Sequence, residues 1–368
     1  MAGKKIRIGI IGTGNWTETA HIPAFRENAD VAEVVALCDE NLERAQRVAQ
    51  KFGITAVYND LEEMIGKEQL DVLDTVTSRG EHYKPACAAI AHGLHILTEK
   101  PIGHTVEEAT DLARRIKNTG LVHHVGFTFR YSPVVRKAKE LIDSGALGAI
   151  YHVQGFEQNG QLVDEATPLP RRGFSPKTDS GALHGYGSHL IDLCRWLCGE
   201  VTSVIGEEET YIKHRPVLEN PEETMEVTVD DSTIWLCKYE NGAQGVMQAS
   251  KVAIGEYPGV EIRIYGSKAS LWIRLVVQGD GYDRMWMATR EDMEFHPVEV
   301  PNDFPDNNWP KNYFSLLVKD FLRRVAEQDT ATGVGDYFDG LRAQEIMKAI
   351  EVSMQRKTWV DVSEFTAK

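Results

Sequence analysis

The feature that most constrains the fold is a short apolar run that leads directly into two glycines near the start of the chain. Residues Ile6 to Ile11 predict a buried strand, Gly12-Thr13-Gly14 follows it, and a helical pattern begins at about Thr19. Glycines between a first strand and a first helix allow a tight turn and let backbone N–H groups approach a pyrophosphate. The turn is therefore predicted to bind a dinucleotide, and its candidate contacts are Gly12, Gly14, Asn15 and Trp16.

An acidic residue supports this interpretation of the turn. The third glycine of the usual pattern is replaced by Thr17, but Asp39 follows about 20 residues further on, at the end of a second predicted strand. An acid at that position can accept hydrogen bonds from ribose hydroxyls and would repel a 2′-phosphate, which favours NAD. Because Arg44 and Arg47 lie one and two helical turns further on, NADP stays an alternative.

The first third of the chain alternates short apolar runs with helical patterns, which predicts a parallel sheet with crossover helices. We assign residues 1–126 to a doubly wound α/β domain of the Rossmann type. The predicted strands are Ile6 to Ile11, Val34 to Cys38, Val72 to Val76, His95 to Leu97 and Val122 to Val125. The pattern of Asn41 to Phe52 predicts a helix that ends at Gly53, and Thr105 followed by Glu108 predicts a helix start.

The remainder, residues 127–368, is predicted to form a second, sheet-rich domain. A helix is expected from Pro133 to Ile142, and helices from Tyr313 to Ala326 and from Tyr337 to Met354 are expected to end the chain. We expect a late helix, at about 337–354, to pack back on the first domain. Strands are predicted at Ile150 to Phe156, Met225 to Tyr239, Gln244 to Val252, Val260 to Ile264, Ser270 to Leu275, Arg284 to Thr289 and Glu294 to Val300.

The composition narrows the class of protein. A formal net charge of -15 over 368 residues disfavours binding to nucleic acid or to anionic membranes. The longest apolar runs are too short for a membrane span or a signal peptide. Five cysteines without a CxxC pair predict a reduced, cytoplasmic chain, and we expect no metal site.

A lysine follows the fourth predicted strand in Glu99-Lys100-Pro101. Ligands of open parallel sheets bind beyond the carboxyl ends of the strands, where an ammonium group can polarise a hydroxyl or carbonyl oxygen next to a nicotinamide. Taken alone, a lysine before a proline more often belongs to a surface turn.

Together with these segments, several further motifs resemble the glucose-fructose oxidoreductase and inositol dehydrogenase family, often called Gfo/Idh/MocA. They are His82, Gly126-Phe127, Arg130-Tyr131-Ser132-Pro133 and Gly187-Ser188-His189 with Asp192. The resemblance covers nearly the whole chain. It implies a Rossmann domain followed by an open, mainly antiparallel sheet of α+β type, and a hydride transfer between NAD(P) and a sugar or cyclic polyol.

The resemblance also implies roles for single residues. Lys100 would polarise the reacting oxygen, and His189 would accept or donate the proton. His82, Glu99, Lys100 and Arg172 would contact the cofactor. The substrate would contact Lys100, Arg130, Gln158, His184, Tyr186 and His189, with Asn159 in the same region.

One departure from the family leaves the chemistry open. Members commonly carry an aspartate four residues before the histidine, where this chain has Gly185. His184, Tyr186 or a substrate group is expected to substitute for it. Two alternatives to the dehydrogenase therefore remain: an enzyme that recycles a tightly bound cofactor, and a regulator that binds the cofactor without catalysis. We expect a homodimer or homotetramer, and the sequence does not identify the sugar, the carbon or the direction.

Overall fold

The computed structural model describes residues 4–174, 181–256, 259–276, 283–301 and 311–366, apart from the side chains of residues 172, 276 and 311. The chain contacts divide it into two compact units. The first contains the residues up to Thr128 and those between 310 and 342, and the second contains the residues from Phe129 to Trp309 and from Ala343 onward.

A parallel sheet organises the first unit and confirms the predicted Rossmann fold. Within the described residues its order is β3-β2-β1-β4-β5-β6, the order typical of dinucleotide-binding sheets. The strand order reverses between β1 and β4, which is where such sheets bind ligands. The strands are β1 Ile6–Ile11, β2 Ala32–Cys38, β3 Ala56–Tyr58, β4 Val72–Thr75, β5 His95–Thr98 and β6 His123–Val125.

Helices cover this sheet, and their caps follow from the sequence. The predicted helix start at Asn41 is observed, because its side chain accepts a hydrogen bond from the Arg44 backbone, and the helix ends at Gly53 with φ +64°. Thr105 likewise accepts from the Glu108 backbone. The helices are α1 Ile22–Glu27, α2 Leu42–Phe52, α3 Leu61–Glu68, α4 Tyr83–Ala91 and α5 Val106–Ile116.

A mostly antiparallel sheet organises the second unit, which confirms the predicted change in fold class. Its order among the described residues is β16-β15-β14-β13-β7-β12-β11-β8-β17, and the β7–β12 pair is parallel. Helices α6 Pro133–Asp143 and α7 Ser188–Cys198 pack on one face of it. The strands are β7 Ile150–Gln158, β8 Val201–Glu209, β11 Ser232–Tyr239, β12 Gln244–Ser250, β13 Gly259–Gly266, β14 Ala269–Val276, β15 Arg284–Thr289, β16 His296–Val298 and β17 Val360–Asp361, with a separate hairpin of β9 His214–Val217 and β10 Asn220–Glu226.

The strand predicted from Met225 to Tyr239 is wrong as a single element. It is divided into β10 and β11, because the backbone between them bonds to other segments: the Val227 N–H donates to the Lys213 carbonyl, and the Thr228 N–H donates to the Phe174 carbonyl. The Asp230 carboxylate accepts hydrogen bonds from the Leu183 backbone and the Thr233 hydroxyl, and Asp231 accepts one from the Ile212 backbone.

Two late helices, α8 Lys311–Glu327 and α9 Tyr337–Arg356, follow the sheet. Helix α8 packs on α1 inside the first unit, an assignment that the sequence analysis did not make. The start of α9 belongs to the same unit, where the Tyr337 hydroxyl lies 2.5 Å from Thr98 Oγ1. None of the helices within the described ranges combines the length and the apolar run that a bilayer span needs.

Candidate active site

The glycine-rich turn has the geometry that a phosphate-binding turn needs. Gly12 has φ +95°, and a side chain there would collide with the carbonyl oxygen of Val76. By contrast, a Cβ added at Gly14 would meet no atom of the described residues within 4 Å. Thr17, which replaces the third glycine, is buried, and its hydroxyl donates to the Gly12 carbonyl at 2.7 Å. The turn is therefore held from inside while its Gly14 side stays open to a ligand.

Asp39 lies at the end of β2 and is joined directly to this turn. Its Oδ2 accepts hydrogen bonds from the Thr13 N–H and hydroxyl, both at 2.7 Å, and its Oδ1 accepts one from Arg44 at 2.6 Å. Burial acts to raise the pKa of Asp39, but the hydrogen bonds of Arg44 and Thr13 outweigh it and lower the pKa. The carboxylate is therefore ionised at neutral pH, as an acceptor for ribose hydroxyls must be. Open backbone at Gly14 and an ionised acid at the end of β2 together fit a dinucleotide.

The loop that carries Lys100 touches the same turn. Glu99 follows β5, and its Oε1 accepts a hydrogen bond from the Trp16 indole at 2.9 Å. A Cβ at Gly126 would lie 2.8 Å from Glu99 Oε1, so glycine at this position lets the carboxylate lie close to the backbone. Burial acts to raise the pKa of Glu99, but the hydrogen bond and charge of His21, together with Lys100, lower it to about 2. Lys100 thus follows a largely buried glutamate whose carboxyl group is ionised at neutral pH.

His82 is buried and bridges two loops. Its Nδ1 lies 2.5 Å from the Pro101 carbonyl oxygen and its Nε2 lies 2.9 Å from the Thr77 carbonyl oxygen. Burial acts to lower the pKa of His82, and it outweighs the hydrogen bonds to the two carbonyl oxygens, which act to raise it. These contacts hold the residue after Lys100 in place.

His189 lies in the first turn of α7, which follows a π-helical turn, Leu183–Gly187. The ring of Phe129 packs edge-on against the imidazole, with 4.9 Å between the ring centroids. Arg130 is 2% exposed and binds Asp192 through Nε at 2.8 Å and Nη2 at 2.5 Å. This guanidinium supports α7 from inside, and the predicted contact between Arg130 and substrate stays a prediction.

His184 and Tyr186, the candidates to replace the missing aspartate at Gly185, have different surroundings. His184 Nε2 lies 2.7 Å from Glu351 Oε1 on α9. The Tyr186 hydroxyl accepts a hydrogen bond from Asn159 at 2.7 Å and lies 3.4 Å from Gln161 Oε1. The structure therefore pairs His184 with a carboxylate of its own unit and places Tyr186 in a polar cluster.

That cluster contains residues that the sequence analysis missed. Lys251 lies over the Tyr186 ring, 5.7 Å from its centroid, and Gln161 faces the hydroxyl. Gln158 ends β7 opposite Ser250, immediately before the buried Asn159. Because Tyr186 and His189 are three residues apart in consecutive helical turns, the cluster borders the helix end that carries the histidine.

A buried arginine fixes the segment that contains Gln161. Arg215 of β9 is fully buried, and its guanidinium donates to the carbonyl oxygens of Leu162 and, at 2.8 Å, of Asp164. Arg172 belongs to a short helical turn that ends this segment, Arg171–Phe174, and its side chain lies outside the described part of the chain.

His21 and Asp74, which lie behind Glu99, were not among the residues predicted from the sequence. His21 Nδ1 is 2.7 Å from Asp74 Oδ2, and its Nε2 is 3.3 Å from Glu99 Oε1. No local motif marks them, since the two residues are 53 positions apart and each alone resembles an ordinary polar residue next to an apolar segment.

Comparison with known proteins agrees with both units. Residues 6–127 match a family described as an oxidoreductase family with an NAD-binding Rossmann fold, and residues 135–272 match the GFO/IDH/MocA C-terminal domain. Levoglucosan dehydrogenase of Pseudarthrobacter phenanthrenivorans is 27% identical over 99% of this chain and 100% of its own. The scyllo-inositol 2-dehydrogenase (NAD(+)) of Bacillus subtilis is 27% identical over 73% of this chain and 74% of its own.

A solved structure is similar over the same length. Levoglucosan dehydrogenase in complex with NADH and L-sorbose superposes with a TM-score of 0.89 and 27% identity, covering 99% of this chain and 100% of that one.

Proposed function

The chain belongs to the Gfo/Idh/MocA family of NAD-binding oxidoreductases, and on that basis we propose that it oxidises a secondary alcohol of a sugar or cyclic polyol, or reduces the matching ketone. The observation that carries the proposal is the hydrogen bond from Trp16 to Glu99. It joins the residue before Lys100 to the turn that would hold the cofactor phosphates. A relative over nearly the full length acts, by its name, on levoglucosan, an anhydro-sugar.

We propose the following roles in cofactor binding and catalysis. Gly14, Asn15 and Trp16 would hold the pyrophosphate side of NAD, and Asp39 would accept hydrogen bonds from the ribose. When bound, NAD supplies the nicotinamide that takes up or returns the hydride. Lys100 would donate a hydrogen bond to the reacting oxygen, and His189 would take up or return the hydroxyl proton.

Substrate recognition is proposed for the polar cluster of Tyr186, Gln161, Asn159 and Lys251. The cluster combines a hydroxyl, two amides and an ammonium group, and such a mixture of donors and acceptors suits a polyhydroxylated ligand. Gln158 and His184 stay candidates at its border. With His184 paired to Glu351, Tyr186 is the better candidate to replace the family's aspartate.

The test is a substrate panel. The purified protein is incubated with NAD and, separately, with NADP against levoglucosan, inositols, aldoses and sugar acids, while the absorbance of the reduced nicotinamide is followed. We expect reduced cofactor to accumulate with NAD and at least one sugar. Tight NAD binding without any accumulation would contradict the proposal and favour cofactor recycling or regulation.

We further propose a homodimer or homotetramer that uses the open face of the nine-stranded sheet. Opposite the helices, this face exposes Ile234 (51%), Leu236 (44%) and Val246 (47%). On the same sheet Trp272 stacks on Trp286 at 4.5 Å, and Arg263 lies over Trp272. Aromatic, aliphatic and arginine side chains on one flat surface are typical of subunit interfaces.

The cellular setting is proposed from charge and cysteines. All five cysteines are unpaired, as in a reducing compartment, which supports a cytoplasmic location. The net charge of -15 supports a small-molecule partner over nucleic acid or an anionic membrane surface.

A further inference from the structure

Behind Lys100 lies a buried chain of three ionisable side chains that the proposed reaction does not use. Asp74 in the middle of β4 contacts His21, and His21 contacts Glu99, at 2.7 and 3.3 Å. The side chains of His21 and Asp74 have no exposed surface, and that of Glu99 is 15% exposed. We call this set the Asp74–His21–Glu99 chain.

The π-helical turn and two aromatic rings fix the position of the His21 imidazole. The helix that carries it begins with a π-helical turn, Thr17–His21, a local distortion that often occurs at functional sites. Phe314 of α8 packs on the imidazole at 4.2 Å, and Trp16 meets it edge-on at 6.3 Å. The aromatic rings exclude water from the chain and strengthen the charge interactions inside it.

The geometry favours a charged imidazole. Each ring nitrogen faces a carboxyl oxygen, and only the imidazolium has an N–H donor for both when the two carboxyl groups are ionised. Burial acts to lower the pKa of His21, but the charges and hydrogen bonds of Asp74 and Glu99 outweigh it and raise the pKa to about 9. Asp74 Oδ1 is buried without a hydrogen-bond partner among the described residues, so this carboxylate depends on His21 for its compensation.

We propose that His21 is a positioning residue for the reaction: its imidazolium holds the Glu99 carboxylate ionised and oriented, so that Glu99 sustains the positive charge of Lys100. This inference rests on the proposed function, in which Lys100 polarises the reacting oxygen. Glu99 also accepts from the Lys100 backbone N–H at 3.3 Å, and the charge of Lys100 contributes to lowering the pKa of Glu99, so the two charges interact. Without His21, a buried Glu99 tends to take up a proton and Lys100 loses its counter-charge.

Among the described residues, the groups that face the Asp74–His21–Glu99 chain come from a few elements. Strand β4 contributes Asp74, the turn before α4 contributes His82, whose pKa responds to the charges of Glu99 and Lys100, and α8 contributes the uncharged ring of Phe314. Loss of the His21 charge should therefore change the pKa of Lys100.

The test measures the pKa of Lys100 without any substrate. The full-length protein is labelled with an amine-reactive reagent over a pH series, and mass spectrometry follows the Lys100 peptide, with the exposed Lys84 as internal control. We expect His21→Phe to lower the pKa of Lys100 by about one unit or more. One unit corresponds to about a tenfold increase in the acid dissociation constant of the ammonium group. His21→Gln, which keeps an N–H donor, should restore part of the shift.

A double-mutant cycle separates this role from general damage. Glu99→Gln should lower the pKa of Lys100 similarly, and His21→Phe should add nothing in that background, because both act through one carboxylate. An unchanged pKa of Lys100 in His21→Phe, or an equal further shift in the Glu99→Gln background, would overturn the inference. If His21→Phe does not fold, His21→Gln replaces it in the cycle under the same criterion.

The outcome is independent of whether the substrate is found. If no sugar is oxidised, the proposed function fails while the labelling still decides the role of His21. If a substrate is found, the decrease of kcat with rising pH should begin at a lower pH in His21→Phe than in the unmodified enzyme, because Lys100 loses its proton at a lower pH. KM should change little.

Discussion

At the scale of single residues, the choice of cofactor depends on one carboxylate and its neighbouring cation. The Asp39 carboxylate would repel a 2′-phosphate. Arg44 binds Asp39 at 2.6 Å, and without that carboxylate its guanidinium could bind the 2′-phosphate. Asp39→Ser should therefore shift the ratio of kcat/KM for NAD over NADP towards NADP by about 100-fold, or roughly 3 kcal/mol. Steady-state kinetics with both cofactors measure the ratio. Adding Arg44→Ala should remove the gain with NADP, and an unchanged ratio in Asp39→Ser would contradict the role of Asp39.

Lys100 is expected to act on the reacting oxygen and not on cofactor affinity. Lys100→Met should lower kcat by roughly 10³-fold, within the range of a lost acid–base group, because the methionine cannot donate a hydrogen bond. The dissociation constant of NAD, measured by fluorescence titration, should stay within a few fold. The matched control is Lys84→Met at an exposed lysine of the same unit. Full activity in Lys100→Met would refute the proposed mechanism.

His21 also predicts a pH dependence of stability. Its pKa in the folded protein is about 9, above the ordinary 6.5, so the folded state binds the proton more tightly than the unfolded state. The stabilisation is complete below about pH 6.5 and is lost as the pH rises through about 9, with a magnitude on the order of 3 kcal/mol. Urea unfolding from pH 6 to pH 10 should show this loss in the unmodified protein. In His21→Gln the loss should be absent, and parallel profiles of the two proteins would argue against a buried imidazolium.

At the scale of secondary-structure elements, two π-helical turns place the two histidines on which the proposals depend. One turn ends at His21 and the other, Leu183–Gly187, ends two residues before His189. An inserted residue in a helical turn changes the direction of all later side chains. Helical periodicity in the sequence therefore could not predict where either imidazole points.

Elements with local signals were predictable, and those that depend on distant partners were not. Strand β1 and the caps of α2 follow from residues a few positions apart, and the structure has them as predicted. Strand β8 ends in Glu207, Glu208 and Glu209, which have low strand propensity, and it forms because β11 pairs along its whole length. The pairing of Arg130 with Asp192 was not predictable either, because the two residues are 62 positions apart.

The Arg130–Asp192 pair is a test of how α7 is anchored. Asp192→Asn would remove a carboxylate charge that binds a buried guanidinium through two hydrogen bonds, and the expected loss of stability is about 3 kcal/mol. Thermal unfolding measures it. Glu200→Gln is the matched control, since Glu200 binds Arg195 of the same helix but is 44% exposed, and its removal should cost less than about 1 kcal/mol. Equal effects of the two substitutions would mean that the buried pair does not anchor the helix.

At the scale of the whole molecule, the fold assigns different tasks to the two faces of the large sheet. Side chains alternate along β11, so that Trp235, Cys237 and Tyr239 are buried while Ile234 and Leu236 are exposed on the other side. The alternation is what a sheet requires when one face packs on helices. Burial of the exposed apolar side chains in an interface would be favourable, and a second copy of the chain is the proposed partner.

A charge among the exposed apolar side chains of the open face should therefore dissociate the oligomer. Leu236 lies between Ile205 of β8 and Val246 of β12, and Leu236→Glu would bury a carboxylate without a partner in any interface formed there. Light scattering after size-exclusion chromatography should show a dimer or tetramer for the unmodified protein and a single chain for the variant. Val31→Glu, at a 43% exposed valine of the first unit, introduces the same charge away from this face and should leave the oligomer intact. If the unmodified protein is a single chain, or if Leu236→Glu keeps the full oligomer mass, the open face is not the interface, and its apolar side chains are then tolerated in contact with water.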